Sequence, residues 1–165
     1  MREIVVDASV VMKWIISEEH SSEARLLLTS DGSDHEHNLF LIAPDVMLAE
    51  VAHGLRRLVS RGVVNPAQAE SLFDFVLVHA PVELFGIYGD EQYDPQGSMV
   101  RDALQLANRY LCSLYDALYI CLALKRSAGF VTADLKLYNK SLPLTAGRSL
   151  IWVADLPQWL GTHST

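Results

Sequence analysis

The sequence predicts an α/β fold, a parallel sheet with helices packed on both faces. Three observations carry that expectation. Short apolar runs rich in β-branched residues recur along the chain. Amphipathic runs at helical spacing separate most of them. The strand candidates are continuously apolar rather than alternating, as strands buried on both faces must be. At 165 residues the chain is expected to form one domain, 1–165, with a core of about residues 3–155.

The first strand candidate is "EIVVDAS", which ends in Asp7. In "SVVMKWIISEEH" the spacing of Val10, Val11, Trp14 and Ile15 predicts a helix, with Ser9 as its N-cap. "SSEARLLLTS" reads as a second amphipathic helix, followed by the polar insert "SDGSDHEHN", a loop. "LFLIAP" is the second strand. Pro44 and Asp45 then introduce the helix "VMLAEVAHGLRRLVSRG", on which Val51, Leu55 and Leu58 share a face and Gly62 marks the stop. "NPAQAESLFDFVLVHA" is a helix with Asn65 as cap and Pro66 at its first position. "VELFGI" is the third strand, and the acidic, turn-rich "YGDEQYDPQGS" an exposed loop. "SMVRDALQLANRY" and "SLYDALYICLALKRSA" are helices with almost no linker between them. "GFVTA" is the fourth strand, "LIWVADL" the fifth, and "THST" a frayed tail. No helix is assigned between the fourth and fifth strands.

Composition narrows the function classes. Half of the residues are hydrophobic and 20% are charged, a globular composition with no apolar run long enough to span a bilayer. "MREIVVDAS" reads as a core strand, since Glu3 and Asp7 interrupt what a signal peptide needs. Cys112 and Cys121, without a C-x-x-C spacing, are expected to be reduced, buried thiols of a cytoplasmic protein. A net charge of −7 argues against a protein that coats nucleic acid. It leaves a nuclease open, because bound cations reverse the sign of a carboxylate cluster.

Four acids draw attention. Asp7 and Asp134 each follow a strand directly, at the sheet edge where open α/β folds bind ligands. Asp7 is the sharper signal, since an unpaired buried carboxylate is costly. Its competing role is to cap the next helix. Asp116 fits a capping box with Ser113, and the positive end of the helix dipole would keep its carboxylate ionised, so capping and metal ligation are compatible. Glu50 sits inside a helix among mostly apolar neighbours, with His53, Gly54 and Arg57 on its side. It is either solvated or part of a site.

Other motifs offer less. "DGSDHEH", residues 31–37, is metal-rich in composition but has no recognised ligand spacing. There is no Walker or dinucleotide glycine pattern and no G-x-S-x-G elbow. Arg56, Arg57 and Arg61 form a modest basic patch that reads as a solvated face. A site built from Asp7, Glu50, Asp116 and Asp134 would suit the hard cations Mg²⁺ and Mn²⁺ and the phosphoryl chemistry that such ions support without a nucleophilic side chain.

"VVDASV", the "AP-x5-EV" that places Glu50, "CSLYDALYICLA" and "FVTADLKLYN" resemble the successive signatures of the PIN domain, most closely the VapC-type toxins of toxin–antitoxin pairs. The resemblance runs from residue 3 to about residue 155. It implies a five-stranded parallel sheet and an Mg²⁺- or Mn²⁺-dependent endoribonuclease in which water attacks RNA to leave a 3′-hydroxyl and a 5′-phosphate. It further implies that Asp7, Glu50, Asp116 and Asp134 are the metal-binding and catalytic quartet, with Ser9 and Thr132 in support. A homodimer and a small antitoxin with a basic tail over the site follow from the same likeness. That tail is expected to dock near Trp14 and Leu55. Lys136 stands where many members carry a further acid, which bears on a second metal. Two alternatives stay open: a PIN fold that binds or regulates without turnover, and another carboxylate–Mg²⁺ phosphotransfer enzyme.

Overall fold

A computed structural model of the chain describes residues 2–29, 39–87, 98–142 and 150–162. The segments 31–38 and 88–97, read from the sequence as loops, lie outside the described residues, as does most of the expected tail.

Five parallel strands form one sheet: β1 (Arg2–Val6), β2 (Leu39–Pro44), β3 (Val82–Phe85), β4 (Gly129–Thr132) and β5 (Leu150–Trp152), in the order β3-β2-β1-β4-β5. The chain moves outward from β1 to β3 and then returns to the other side of β1 as β4. The boundary between β1 and β4 is therefore a topological switch point, where the connections on either side diverge and leave a crevice at the carboxyl ends. The register sets Val6 beside Val131, so Asp7 and Thr132 emerge next to each other at that edge.

The helices are α1 (Ala8–Ile15), α2 (Ser21–Thr29), α3 (Val46–Ser60), α4 (Pro66–His79), α5 (Ser98–Tyr110), α6 (Leu114–Arg126), α7 (Leu135–Ser141) and α8 (Leu156–Thr162). Ile4, Val5 and Val6 of β1 are fully buried, as expected of a central strand covered on both faces. In α6, every residue from Ala117 to Ala123 is buried. This helix packs against the sheet on one side and α5 on the other, which explains why it is apolar all round. Edge strand β3, by contrast, leaves Glu83 and Leu84 exposed.

Local signals act where the sequence places them. Asn65 and Gln68 form a reciprocal capping box at α4, with Pro66 at the first position. Gly62 (φ 70°) follows the last turn of α3, in the left-handed region that glycine enters without a Cβ clash.

Four expectations need correction. The N-cap of α1 is Asp7, one residue before the helix begins, rather than Ser9. The fifth strand ends at Trp152, and Val153–Asp155 tighten into a 3-10 turn that leads into α8. The short helices α7 and α8 stand where the sequence predicts none. Each spans only 7 residues, too few to show a full amphipathic repeat. Cys112 lies in the linker between α5 and α6 and is partly exposed, whereas Cys121 is buried in α6 as expected. Burial pushes the thiol of Cys121 up to about 12, so it is inert as a nucleophile at neutral pH.

Candidate metal centre

Asp7 begins the site. It ends β1 and caps α1, and it is 3% exposed. Its Oδ1 accepts from the Val10 backbone N–H at 3.1 Å and from the Ser9 hydroxyl at 2.6 Å. Its Oδ2 accepts from the Thr132 hydroxyl on β4. Both hydroxyls also accept: Ser9 Oγ from the Ala133 N–H at 2.9 Å, Thr132 Oγ1 from the Asp134 N–H at 3.0 Å. Because each hydroxyl carries one proton and accepts from a backbone N–H, its own O–H is left to point at Asp7. The ends of β1 and β4 are thereby laced together around one carboxylate.

Burial raises the Asp7 carboxyl to about 6, against the lowering effect of Ser9, Thr132 and the Val10 N–H. The nearby charge of Asp134 raises it further. Three donors are not enough to offset the loss of water, so the ionised form is under-compensated.

Asp134 caps α7, its Oδ1 accepting from the N–H groups of Lys136 (2.8 Å) and Leu137 (3.1 Å). Its Oδ2 has no hydrogen-bond donor among the described residues. Lys136, where a further acid is common in the resembling family, is exposed and contributes its backbone N–H to this cap.

The other two acids come from helices. Glu50, on the second turn of α3, is half-buried, and its Oε2 accepts from the Tyr119 hydroxyl at 2.6 Å. Desolvation raises its carboxyl. The Tyr119 bond opposes this, and Asp7 and Asp116 push it up again. Asp116 makes the capping box with Ser113: its N–H donates to Ser113 Oγ at 3.0 Å and its Oδ2 accepts from the Ser113 N–H at 3.4 Å. Tyr119 lies three residues after Asp116 on α6, and is itself buried and stacked near Phe130. The phenol is driven well above its usual range by burial and by Glu50, so it donates rather than ionises.

Electrostatics link the four acids in a row, Asp134 acting on Asp7, and Asp7 and Asp116 acting on Glu50. As placed, however, each carboxylate turns to its own local donor. Among the described residues no three His, Cys, Asp or Glu side chains stand close enough to hold one metal ion together. Like charges repel, and each takes the nearest N–H or O–H. The donor set is nonetheless all oxygen and mutually repelling, with its central member buried and under-compensated. That chemistry fits a hard divalent cation.

A cleft of 640 Å³ opens beside these acids, lined by Ala8, Ser9 and Met12 of α1, by Glu50, His53, Gly54 and Arg57 of α3, and by Tyr115 of α6. The sequence-level grouping of His53, Gly54 and Arg57 with Glu50 thus corresponds to one wall. Tyr119 is the site residue that no sequence motif singles out. The available signal was a tyrosine in a fully apolar stretch, one turn past Asp116, whose hydroxyl has to find a partner when buried. Trp14 and Leu55, expected near a docking surface, are core residues at 6% and 2% exposure, and Leu55 lies at the floor of a 330 Å³ groove with Ala52, Val59, Ala69 and Phe73.

Residues 4–141 match the PIN domain family. Ribonuclease VapC3 of Pyrobaculum aerophilum is 26% identical over 137 residues, covering 83% of this chain and 93% of that protein. The crystal structure of PAE2754 from Pyrobaculum aerophilum superposes with a TM-score of 0.62 at 21% identity, over 98% of this chain and 90% of that one. VapBC2 from Rickettsia felis, crystallised with a DNA fragment from its promoter, superposes with a TM-score of 0.56 at 16% identity, over 91% and 96%. At these identities the two structures speak for the fold.

Proposed function

The chain belongs to the PIN domain family, and on that premise we propose that it is a divalent-metal-dependent endoribonuclease, the toxin of a toxin–antitoxin pair. The observation that carries the reading is Asp7, a buried carboxylate at the switch point of the sheet, under-compensated by its own donors and in electrostatic contact with Asp134 and Glu50. The name of the VapC3 ribonuclease supports the substrate class.

Asp7, Glu50, Asp116 and Asp134 would hold Mg²⁺ or Mn²⁺. Such an ion, when bound, supplies a more acidic water and stabilises the leaving oxygen of a phosphodiester. The chain's own residues supply the rest. Ser9 and Thr132 hold both oxygens of Asp7 in place. Tyr119 orients Glu50, and the capping box with Ser113 fixes Asp116 at the N-terminus of α6. Lys136, in place of a further acid, favours a site with one tightly held ion.

A cytoplasmic homodimer paired with a small antitoxin completes the reading. An Arg or Lys of the antitoxin's basic tail would compete with the metal for the carboxylates, Arg being suited by its bidentate fork. Among the described residues no helix is long and apolar enough to cross a membrane.

That each carboxylate takes its own hydrogen-bond donor, with no three of them gathered around one point among the described residues, also suits a PIN fold that binds without turnover. The deciding experiment is cleavage of a mixed-sequence RNA with Mg²⁺, Mn²⁺ or EDTA. Metal-dependent cutting that is lost in Asp7→Asn supports the nuclease; metal and RNA binding without cutting supports the module. Loss of activity on adding the neighbouring gene product, partly relieved by excess Mg²⁺, is the expected mark of a toxin.

A further inference from the structure

We infer that the cleft beside the acids is a tract for one RNA strand, with Arg57 and Arg61 holding phosphates away from the cut and Tyr115 stacking a base beside it. The inference rests on the ribonuclease reading and names what that site would grip.

Glu50, Gly54 and Arg57 on α3 and Arg61 at its C-cap follow at intervals of four, three and four residues, one continuous face. The helical rise puts Arg57 about 10 Å and Arg61 about 16 Å from Glu50. Arg57 borders both the 640 Å³ cleft and an adjoining one of 260 Å³, which share Ser9, Met12 and Gly54 and continue the groove to Arg61. The charged groups on the two walls are Glu50, His53, Arg57 and Arg61 of α3, with Lys13 of α1 and the nearby Glu18. Lys13 is paired with Glu18 at 3.0 Å. Arg57 and Arg61 are exposed and have no carboxylate partner among the described residues. In a chain of net charge −7, two guanidinium groups without a carboxylate partner among the described residues stand in line with the acidic site. Of the basic patch that reads as a solvated face in the sequence, Arg57 and Arg61 line one wall of this groove, while Arg56 turns to another face beside Ser60.

Tyr115 opposes them. It is 52% exposed on the first turn of α6, adjacent to Asp116, and lines the same cleft as Glu50 and Arg57. Tyr119, one turn further along the same face, is buried, so the exposure of Tyr115 comes from its place at the open N-terminal end of α6. An exposed aromatic beside a phosphate path is a stacking platform, and only an unpaired base can lie on it. The acids then fall between a held base and a held phosphate, which would position the backbone across them.

The test is binding, measured by fluorescence anisotropy of a labelled, unstructured mixed-sequence RNA in an Asp7→Asn background that does not cut. Replacing Arg57 and Arg61 together by Gln should weaken binding at least tenfold at low salt. It should also flatten the dependence of log K on log salt by about 1.4, two phosphates at about 0.7 each. Changing both to Lys should keep most of that slope. Tyr115→Ala should cost roughly tenfold with the slope unchanged, and Tyr115→Phe should bind as the parent does. An unchanged slope in the Gln variant, or a Tyr115→Ala loss equally large on a duplex of the same sequence, would overturn the inference. So would a Gln variant that loses affinity for an acidic peptide but not for RNA, since the face would then serve a protein partner. If the wild-type chain fails to cut RNA with either metal, the ribonuclease reading falls, while these binding values still decide the tract.

Discussion

The acidic site has two halves built in different ways. The strand-borne half centres on Asp7, whose carboxylate is laced by Ser9 and Thr132 across adjacent strands, each hydroxyl both giving and taking a hydrogen bond. The exposed Asp134 joins this network through its backbone N–H, and its carboxylate caps α7. The helix-borne half, Glu50 and Asp116, is half-buried. Glu50 relies on one bond from Tyr119 and Asp116 on a capping box with its own helix. The first half is fixed by sheet register, where a shift of an ångström would break several bonds at once. The second depends on how α3 and α6 pack, and its carboxylates retain water. Rigidity in the first and latitude in the second suit a site that must keep one ligand fixed while others adjust to an ion or a substrate.

The largest expected effect lies in the rigid half. Asp7→Asn should lower metal-dependent RNA cleavage by about two orders of magnitude or more. Its melting temperature in EDTA should be unchanged or higher, since a buried charge is lost, the amide oxygen keeps the Ser9 and Val10 donors, and the second lone pair of Thr132 Oγ1 can accept from the amide N–H. An unfolded variant would make Asp7 structural instead.

The pH dependence of stability follows from the same residue. The folded carboxyl titrates at about 6 against an ordinary 3.8, so between those values the folded state holds more protons than the unfolded one. In EDTA, stability should therefore fall as pH rises through this window, by on the order of 3 kcal/mol at most. Glu50, also raised, adds in the same direction. Urea unfolding at a series of pH values should show the decline in the parent chain and much less of it in Asp7→Asn.

Two conservative changes sharpen the contrast between the halves. Thr132→Val keeps the shape but removes a donor to Asp7 and an acceptor for the Asp134 N–H, both in a buried setting. It should cost roughly 1–3 kcal/mol in stability and about 10- to 100-fold in activity, with Thr132→Ser restoring most of both. Tyr119→Phe removes one bond to a carboxylate that water can still reach, and should cost roughly 1 kcal/mol and less activity than Thr132→Val. Equal effects, measured by urea unfolding and initial cleavage rates, would erase the distinction.

The same contrast marks how far the sequence could be read. Strands β1, β2 and β4 and the acids at their ends were legible because burial on both faces leaves an unbroken apolar run, and an Asp that stops such a run stands out. Asp116 was legible for a local reason, its capping box with Ser113. The Glu50–Tyr119 bond was not, because it joins residues 69 apart through helix packing that no local pattern encodes. Nor was the strand order that makes the β1/β4 boundary a crevice. The role of Asp7 as the cap of α1, where Ser9 was expected, shows a polar pair whose division of labour is settled only by β4: Ser9 turns to receive the Ala133 N–H.

The central claim is that both halves serve one divalent ion. Calorimetric titration of Mn²⁺ into the parent chain, Asp7→Asn and Glu50→Gln tests it most directly. One tight site per chain, weakened at least tenfold by either change, is the predicted result. Unaltered Mn²⁺ affinity in Glu50→Gln alongside loss in Asp7→Asn would contradict it, leaving the strand-borne pair as the whole site.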